Sequence, residues 1–202
     1  MEIFQLPFTI PSDIEKKINA KIENFQKLSQ SNNDEWFSEL CFCILTANSQ
    51  AQKAIDIQNY VKAQGFLEKS ESELASIIRS FKHRFHNNKA RYIVNARNFR
   101  FIKDKLAGKT ASDAREFLVL NIKGIGFKEA SHFLRNVGYS DVSIIDRHIL
   151  RFLKNYNFIN EIPNTITKKI YLEIENILKK FQIPLDRLDL MIWYFMTGKI
   201  LK

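Results

Sequence analysis

Apolar residues recur every three to four positions along nearly the whole chain. Ile14, Ile18, Ile22 and Phe25 form such a stripe behind Ser12, a side chain suited to cap a helix, so residues 13 to 28 read as an amphipathic helix. The same periodicity predicts helices near 34–48, 50–63, 71–80, 88–105, 111–121, 127–137, 147–156, 165–181 and 185–199, and no segment alternates like a half-buried strand. The fold class is therefore all-α. Gly65, Gly108, Gly138 and Pro184 fall where helices should end or begin, which implies short connections. The expected grouping is two helical lobes: a central bundle from about 30 to 140, and a second lobe in which the N-terminal segment packs with the C-terminal helices from about 141 to 202.

A chain of 202 residues with 45% hydrophobic content can bury a sizeable core. Its formal net charge of +9 and pI near 9.5 point to a polyanionic partner, with nucleic acid ahead of an anionic membrane surface. No apolar run approaches the roughly 20 residues that cross a bilayer, and Met1-Glu2-Ile3-Phe4 does not open a basic-then-apolar leader, so a cytoplasmic location is expected. Cys41 and Cys43 are the only thiols, and residues two apart point to different faces of a helix. That excludes a disulfide framework and an iron–sulfur cluster within the chain. No Cys/His grouping suggests zinc.

Residues 121 to 128, Asn-Ile-Lys-Gly-Ile-Gly-Phe-Lys, place a lysine on a helix just after a two-glycine turn. Ile145-Asp146-Arg147-His148 places an aspartate where a later helix should begin. The intervening chain suffices for a helix and a turn, so an amine and a carboxylate can meet at one cleft. Gly124 and Gly126 let the backbone turn tightly and approach another surface. The first amides of the following helix lack partners within it and are suited to hold a phosphate without reading a base. The plainer alternatives are a simple helix–helix turn, a solvated Lys128, and an Asp146 that caps the next helix; the capping role is compatible with chemistry.

Together with Leu118 and Leu120 before the turn, Ala130, Phe133 and Leu134 after it, and Val142-Ser143-Ile144-Ile145-Asp146-Arg147-His148, this stretch resembles the helix-hairpin-helix DNA glycosylase superfamily. The resemblance spans at least residues 36 to 152, and departs at Lys123, where the family commonly has proline. It implies a DNA cleft between the lobes and a lysine, Lys128, at the position that marks members which both excise a base and cut the backbone. Lys128 would attack the sugar carbon C1′ and leave a Schiff base that permits β-elimination, while Asp146 stabilises positive charge on the sugar. The amine must be neutral to react, so burial or a nearby positive charge has to lower its pKa; Lys123 and the first turn of its own helix are the expected source of that charge. The backbone carbonyls of Leu120, Ile122 and Ile125 occupy positions that in the superfamily often hold a potassium- or sodium-like structural ion. The amine chemistry itself requires no cofactor.

From Leu74 to Lys103 there is no Asp or Glu, yet Arg79, Lys82, Arg84, Lys89, Arg91, Arg97, Arg100 and Lys103 occur, with His83 and His86 among them. This reads as a phosphate-binding patch, with a merely solvated basic face as the alternative; each contacted phosphate would add about −0.9 to the log–log salt slope. A base leaves the stack only if something fills the hole, and Phe85, on a loop expected from Ser80 to Asn88, is the candidate wedge. Arg84 beside it would hydrogen-bond the orphaned opposite base, and Phe81 reads better as core. Asn48 lies where related glycosylases carry a polar gap-filling residue, or it ends a helix.

The terminus from Leu190 to Lys202, the length and the missing cysteine cluster make the chain similar to the small 8-oxoguanine DNA glycosylase/AP lyase subfamily of archaea and some bacteria. That resemblance implies that Trp193 stacks on the oxidised guanine and that the carboxylate of Lys202 recognises its N1–H and N2–H₂ donors. Trp193 as a core aromatic stays open, and Asp186 and Asp189 are weaker pocket candidates or solvent-facing acids. The partner implied is duplex DNA containing 8-oxoguanine, handled by a monomer in the cytoplasm at the nucleoid. Two alternatives stand beside it: a glycosylase for oxidised pyrimidines, and a hairpin DNA-binding module without chemistry.

Overall fold

The structure, a computed structural model, describes residues 3–200. Among them every regular element is helical: α1 (Ser12–Ser29), α2 (Asn33–Thr46), α3 (Ala51–Glu68), α4 (Glu71–Ser80), α5 (His86–Ala96), α6 (Ile102–Leu106), α7 (Ala111–Asn121), α8 (Phe127–Asn136), α9 (Arg147–Asn155), α10 (Lys168–Lys179) and α11 (Leu185–Thr197), with one 3₁₀ turn at Arg97–Phe99. Several of the starts are written in side chains that satisfy first-turn amides. Asn32 accepts from the Glu35 amide, Thr110 from Asp113, Thr167 from Ile170, and Ser70 forms a reciprocal capping box with Glu73.

Helix α2 is buried from Trp36 to Thr46, apolar on nearly every side, which is the pattern of a helix surrounded by others. Phe37, Leu40, Phe42 and Leu45 on it pack with Ile57, Leu74, Ile93, Leu118 and Phe133 into one core. A second core gathers Ile149, Phe152 and Leu153 of α9 with Tyr171 and Leu178 of α10 and Leu188 and Ile192 of α11, and Phe4 and Phe8 of the N-terminal segment join it. A third cluster seals Ile14, Ile18 and Phe25 of α1 against Leu190. No helix among the described residues is long and apolar enough to cross a membrane.

Three expectations need correction. Ser12 does not cap α1: it is the first helical residue, and Pro11 holds the capping position with no side-chain hydrogen bond. The single helix predicted over 88–105 is broken after Ala96, where the Arg97 side chain turns back to donate to the Phe66 and Lys69 carbonyls and the chain passes through the 3₁₀ turn before α6. Gly65 does not end α3: the helix breaks earlier, at Lys62 (φ 60°, ψ 171°), and resumes through Glu68. Glycine is needed at 65 for space, because a Cβ there would lie 2.8 Å from Val61 Cγ1.

The two large cores meet across a buried polar junction. Arg115 of α7 donates two hydrogen bonds to Glu175 of α10, at 2.7 and 2.9 Å, and Glu175 also accepts the Ser143 amide at 3.0 Å. Removing one member of such a pair leaves the other charge buried and uncompensated. Glu175→Ala should therefore lower stability by about 3–5 kcal/mol, read from chemical denaturation; a loss under about 1 kcal/mol would show that the junction is not what holds the cores together.

Candidate active site

The hairpin follows α7. Ile122 and Ile125 are buried anchors, and between them Gly124 adopts φ +87° while its Cα lies against Tyr92 of α5, so that a Cβ would come 2.5 Å from the ring. Both the left-handed backbone and the close approach exclude a larger residue. Gly126 is extended and opens α8, and its N–H donates to Glu129 Oε2 at 3.3 Å. Two residues on, the Lys128 side chain is about one-third exposed, with Nζ 3.0 Å from Glu129 Oε1.

Asp146 caps α9. Its Oδ1 accepts the amides of His148 (2.8 Å) and Ile149 (3.0 Å), so this carboxylate is fixed by the backbone. The segment leading to it is held by the buried Tyr171 hydroxyl, which donates to the Ser143 carbonyl at 2.6 Å, accepts the Ile145 amide at 3.2 Å, and lies 3.1 Å from Ser131 Oγ on α8.

Lys128 and Asp146 line one cavity of about 120 Å³, walled by Trp193 and Leu190 of α11, His132 and Arg135 of α8, Asp189, and Thr46 and Ser49 at the end of α2. It continues into an open cleft of about 760 Å³ that also takes in Asn48, Lys53, Arg84, Phe85 and His148. The Trp193 ring stands edge-on to His148, 4.7 Å between centroids, and its Nε1 is buried without a hydrogen-bond partner. A core tryptophan normally satisfies that donor, so the side chain reads as part of the cavity wall.

Asp186 and Asp189 are buried, not solvent-facing. Asp189 pairs with Arg135, which also holds Asn136, whose amide donates to Glu39 of α2 at 2.6 Å. Burial pushes the Asp189 carboxyl up to about 6, helped by the nearby Asp146 and opposed by Arg135.

Asn48 is exposed just past α2 with φ +56°, so it both stops the helix and faces the cleft. Phe85 is half exposed (49%) at φ +58°, with the Arg84 guanidinium 5.0 Å from its ring centre, while Phe81 packs on the bundle core. The loop between α4 and α5 is shorter than expected, because α5 begins at His86. The basic patch is also smaller than its sequence suggests: Arg97 is tied to the Phe66 and Lys69 carbonyls, Lys103 to that of Ser31, His83 is buried against the Leu45 carbonyl, and Lys89 is buried. Arg79, Lys82, Arg84, Arg91 and Arg100 remain exposed. Lys202 lies outside the described residues.

Sequence reasoning passed over Glu129, His132 and Arg135. The spacing of four from Lys128 to His132 was a usable signal, because it stacks the two on one face of α8.

A family model described as 8-oxoguanine DNA glycosylase matches residues 18–186. The chain belongs to the 8-oxoguanine DNA glycosylase family. It is 52% identical over 196 residues to the 8-oxoguanine DNA glycosylase/AP lyase of Methanocaldococcus jannaschii, covering 95% of this chain and 94% of that protein. To the protein of the same name from Aquifex aeolicus it is 38% identical, with both chains covered in full. The crystal structure of the Methanocaldococcus jannaschii glycosylase/lyase in complex with a 15mer DNA containing 8-oxoguanine matches with a TM-score of 0.90 at 51% identity, over 95% of this chain and 94% of that one. An endonuclease III–DNA complex matches with a TM-score of 0.59 at 21% identity, which shows that the fold is shared.

The raised Asp189 carboxyl makes a pH prediction for this family member. Its folded pKa of about 6 lies above the ordinary 3.8, so the folded state holds the proton at higher pH than the unfolded chain. The associated stability is fully present below about pH 4 and is lost as pH rises towards about 6. Asp189→Asn should remove that component, leaving a stability–pH curve that rises more steeply than wild type over this window; parallel curves in denaturant titrations would rule the shift out.

Proposed function

We propose that this chain removes 8-oxoguanine from duplex DNA as a bifunctional glycosylase and AP lyase. The observation that carries the reading is that Lys128, Asp146 and Trp193 wall a single cavity directly behind the hairpin. The neutral Lys128 amine attacks C1′ as the glycosidic bond breaks and its electron pair leaves with the base. Opening of the sugar ring gives a Schiff base, loss of a C2′ proton follows, and the 3′ phosphate departs by β-elimination. Asp146, held by two backbone amides, presents negative charge where positive charge develops on the sugar.

Recognition divides between the two ends of the cleft. The free amides at the start of α8 take a phosphate, and Asn48, Arg84 and Phe85 at the cleft mouth occupy the gap left by the extruded base. Trp193 offers its face to the base, and the terminal carboxylate of Lys202 supplies the acceptor for the guanine edge. The carbonyls of Leu120, Ile122 and Ile125 would hold a monovalent cation. Leu120 lies in the last turn of α7, where carbonyls lack helical partners, which fits a cation. Such an ion would supply structural positive charge at the hairpin and would enter no chemical step. The chain then works as a monomer on the prokaryotic chromosome in the cytoplasm.

Borohydride trapping on an 8-oxoguanine duplex tests this reading. Wild type should give a covalent adduct and Lys128→Gln none; an adduct that persists in the variant would sink the assignment. Asp146→Asn, which keeps an acceptor for the α9 amides, should fold and bind DNA while single-turnover excision falls by about a hundredfold or more. Faster release of thymine glycol than of 8-oxoguanine would instead favour the oxidised-pyrimidine reading.

A further inference from the structure

The Lys128 amine has to lose its proton, yet its nearest charged neighbour, Glu129, favours keeping it. Glu129 is not free to swing away, because its second oxygen accepts the Gly126 amide and the side chain is mostly buried. The opposing charge comes from α5. Lys89 is only 5% exposed, and its Nζ donates to the carbonyls of Ile44 (2.6 Å) and Ala47 (2.8 Å) at the C-terminal end of α2. Those carbonyls form the negative end of a helix and fix the ammonium in place. Thr46 and Ser49 at that same end of α2 wall the cavity that Lys128 lines, which puts the buried ammonium close enough to act on Glu129 and Lys128.

We propose that Lys89 is a positioning residue for the nucleophile: its fixed charge offsets Glu129 and disfavours a second ammonium at Lys128. This rests on Lys128 being the nucleophile. A lysine activated by a neighbouring cation is a known solution to the same problem, and Lys89 fits it better than the exposed Lys123, since burial keeps its field from being screened. Burial also lowers the pKa of Lys89 itself, to about 8, so the device acts below that pH and fades above it.

Other titratable groups face the same amine. His132 lies one turn along α8, Asp146 and His148 open α9, and Asp189 on α11 is paired with Arg135. Lys53 of α3 and Arg147 line the outer cleft. None of them is changed in variants at position 89 or 129, so the comparison between variants isolates the pair.

The experiment is borohydride trapping by the full chain at saturating DNA, on a duplex with a preformed abasic site, from about pH 5.5 to 9. Lys89→Met should slow trapping about two- to tenfold near pH 6–7, with the gap closing above about pH 8. Lys89→Arg should recover most of the rate, because it restores the charge. Glu129→Gln, which keeps an acceptor for the Gly126 amide, should move the acidic limb the opposite way and raise trapping near pH 6 about two- to fivefold. Superposed profiles for wild type and Lys89→Met overturn the proposal. So does a pH-independent loss shared by Lys89→Met and Lys89→Arg, which would mean simple packing. Should Lys89→Met fail to fold by circular dichroism, Glu129→Gln decides, and an unmoved acidic limb overturns the idea. Failure of the nucleophile assignment is distinguished by its own sign, an adduct in Lys128→Gln.

Discussion

The site depends on one hydroxyl. One large apolar core surrounds α2 and another joins α9, α10 and α11, and apolar packing is non-directional, so it does not by itself fix how the two register. Hydrogen bonds do. Tyr171 of α10 ties Ser143 and Ile145, the residues leading into Asp146, to Ser131, three residues after Lys128 on α8. Arg115 and Glu175 brace the same point, and Arg115 also donates to Ser131 at 3.2 Å. Burial pushes the Tyr171 phenol well above its usual range, so it stays neutral and serves as both donor and acceptor throughout the working pH range.

The second feature that sets the site is the balance of charge around the cavity. Asp146 and Asp189 line it together with Lys128 and Arg135, and Glu129 pairs with Lys128. Backbone groups or buried partners hold most of these side chains and the neighbouring Lys89: Asp146 by amides, Lys89 by carbonyls, Asp189 by Arg135, Glu129 by the Gly126 amide. Lys128 is about one-third exposed and pairs with Glu129. The back wall is rigid in the same way, because Arg135 continues through Asn136 to Glu39 on the central helix, and a buried polar chain whose members are bonded holds one arrangement.

Much of this was legible in the chain. Ser70, Thr110, Thr167 and Asp146 are local start signals, and local signals survive without knowledge of the fold. Gly124 was legible too, since a left-handed turn before a helix leaves few alternatives to glycine. Lys89 was not: within a run of lysines and arginines nothing marks the one whose ammonium caps another helix, because its partners, the Ile44 and Ala47 carbonyls, are backbone atoms more than forty residues away. The break after Ala96 was hidden for the same reason, since the carbonyls that turn Arg97 back belong to the far end of α3. Asp189 was legible only as a weaker pocket candidate, with a solvent-facing acid as the alternative, because its helix carries no sign of the arginine it meets on α8.

The same distinction changes what the net charge of +9 means. Lys89, Arg97 and Lys103 spend their charge on helix-end and loop carbonyls, so they hold the bundle together and are not offered to phosphate. Of the exposed cations of this stretch, Arg84 lines the cleft with Lys53 and Arg147, and on its loop Lys82 and Phe85 both sit at positive φ. Such backbone costs on the order of 1 kcal/mol per residue and persists only where its surroundings impose it. Here they do: Lys53 donates to the Lys82 carbonyl at 2.8 Å, and the Phe85 carbonyl accepts the Lys89 amide at 2.9 Å. The strained loop thus presents an exposed aromatic ring beside Arg84 at the entrance to the cavity, and Lys89 anchors that loop through its backbone while its side chain caps the end of α2. A single buried lysine joins the cleft mouth to the end of α2, where Thr46 and Ser49 wall the cavity.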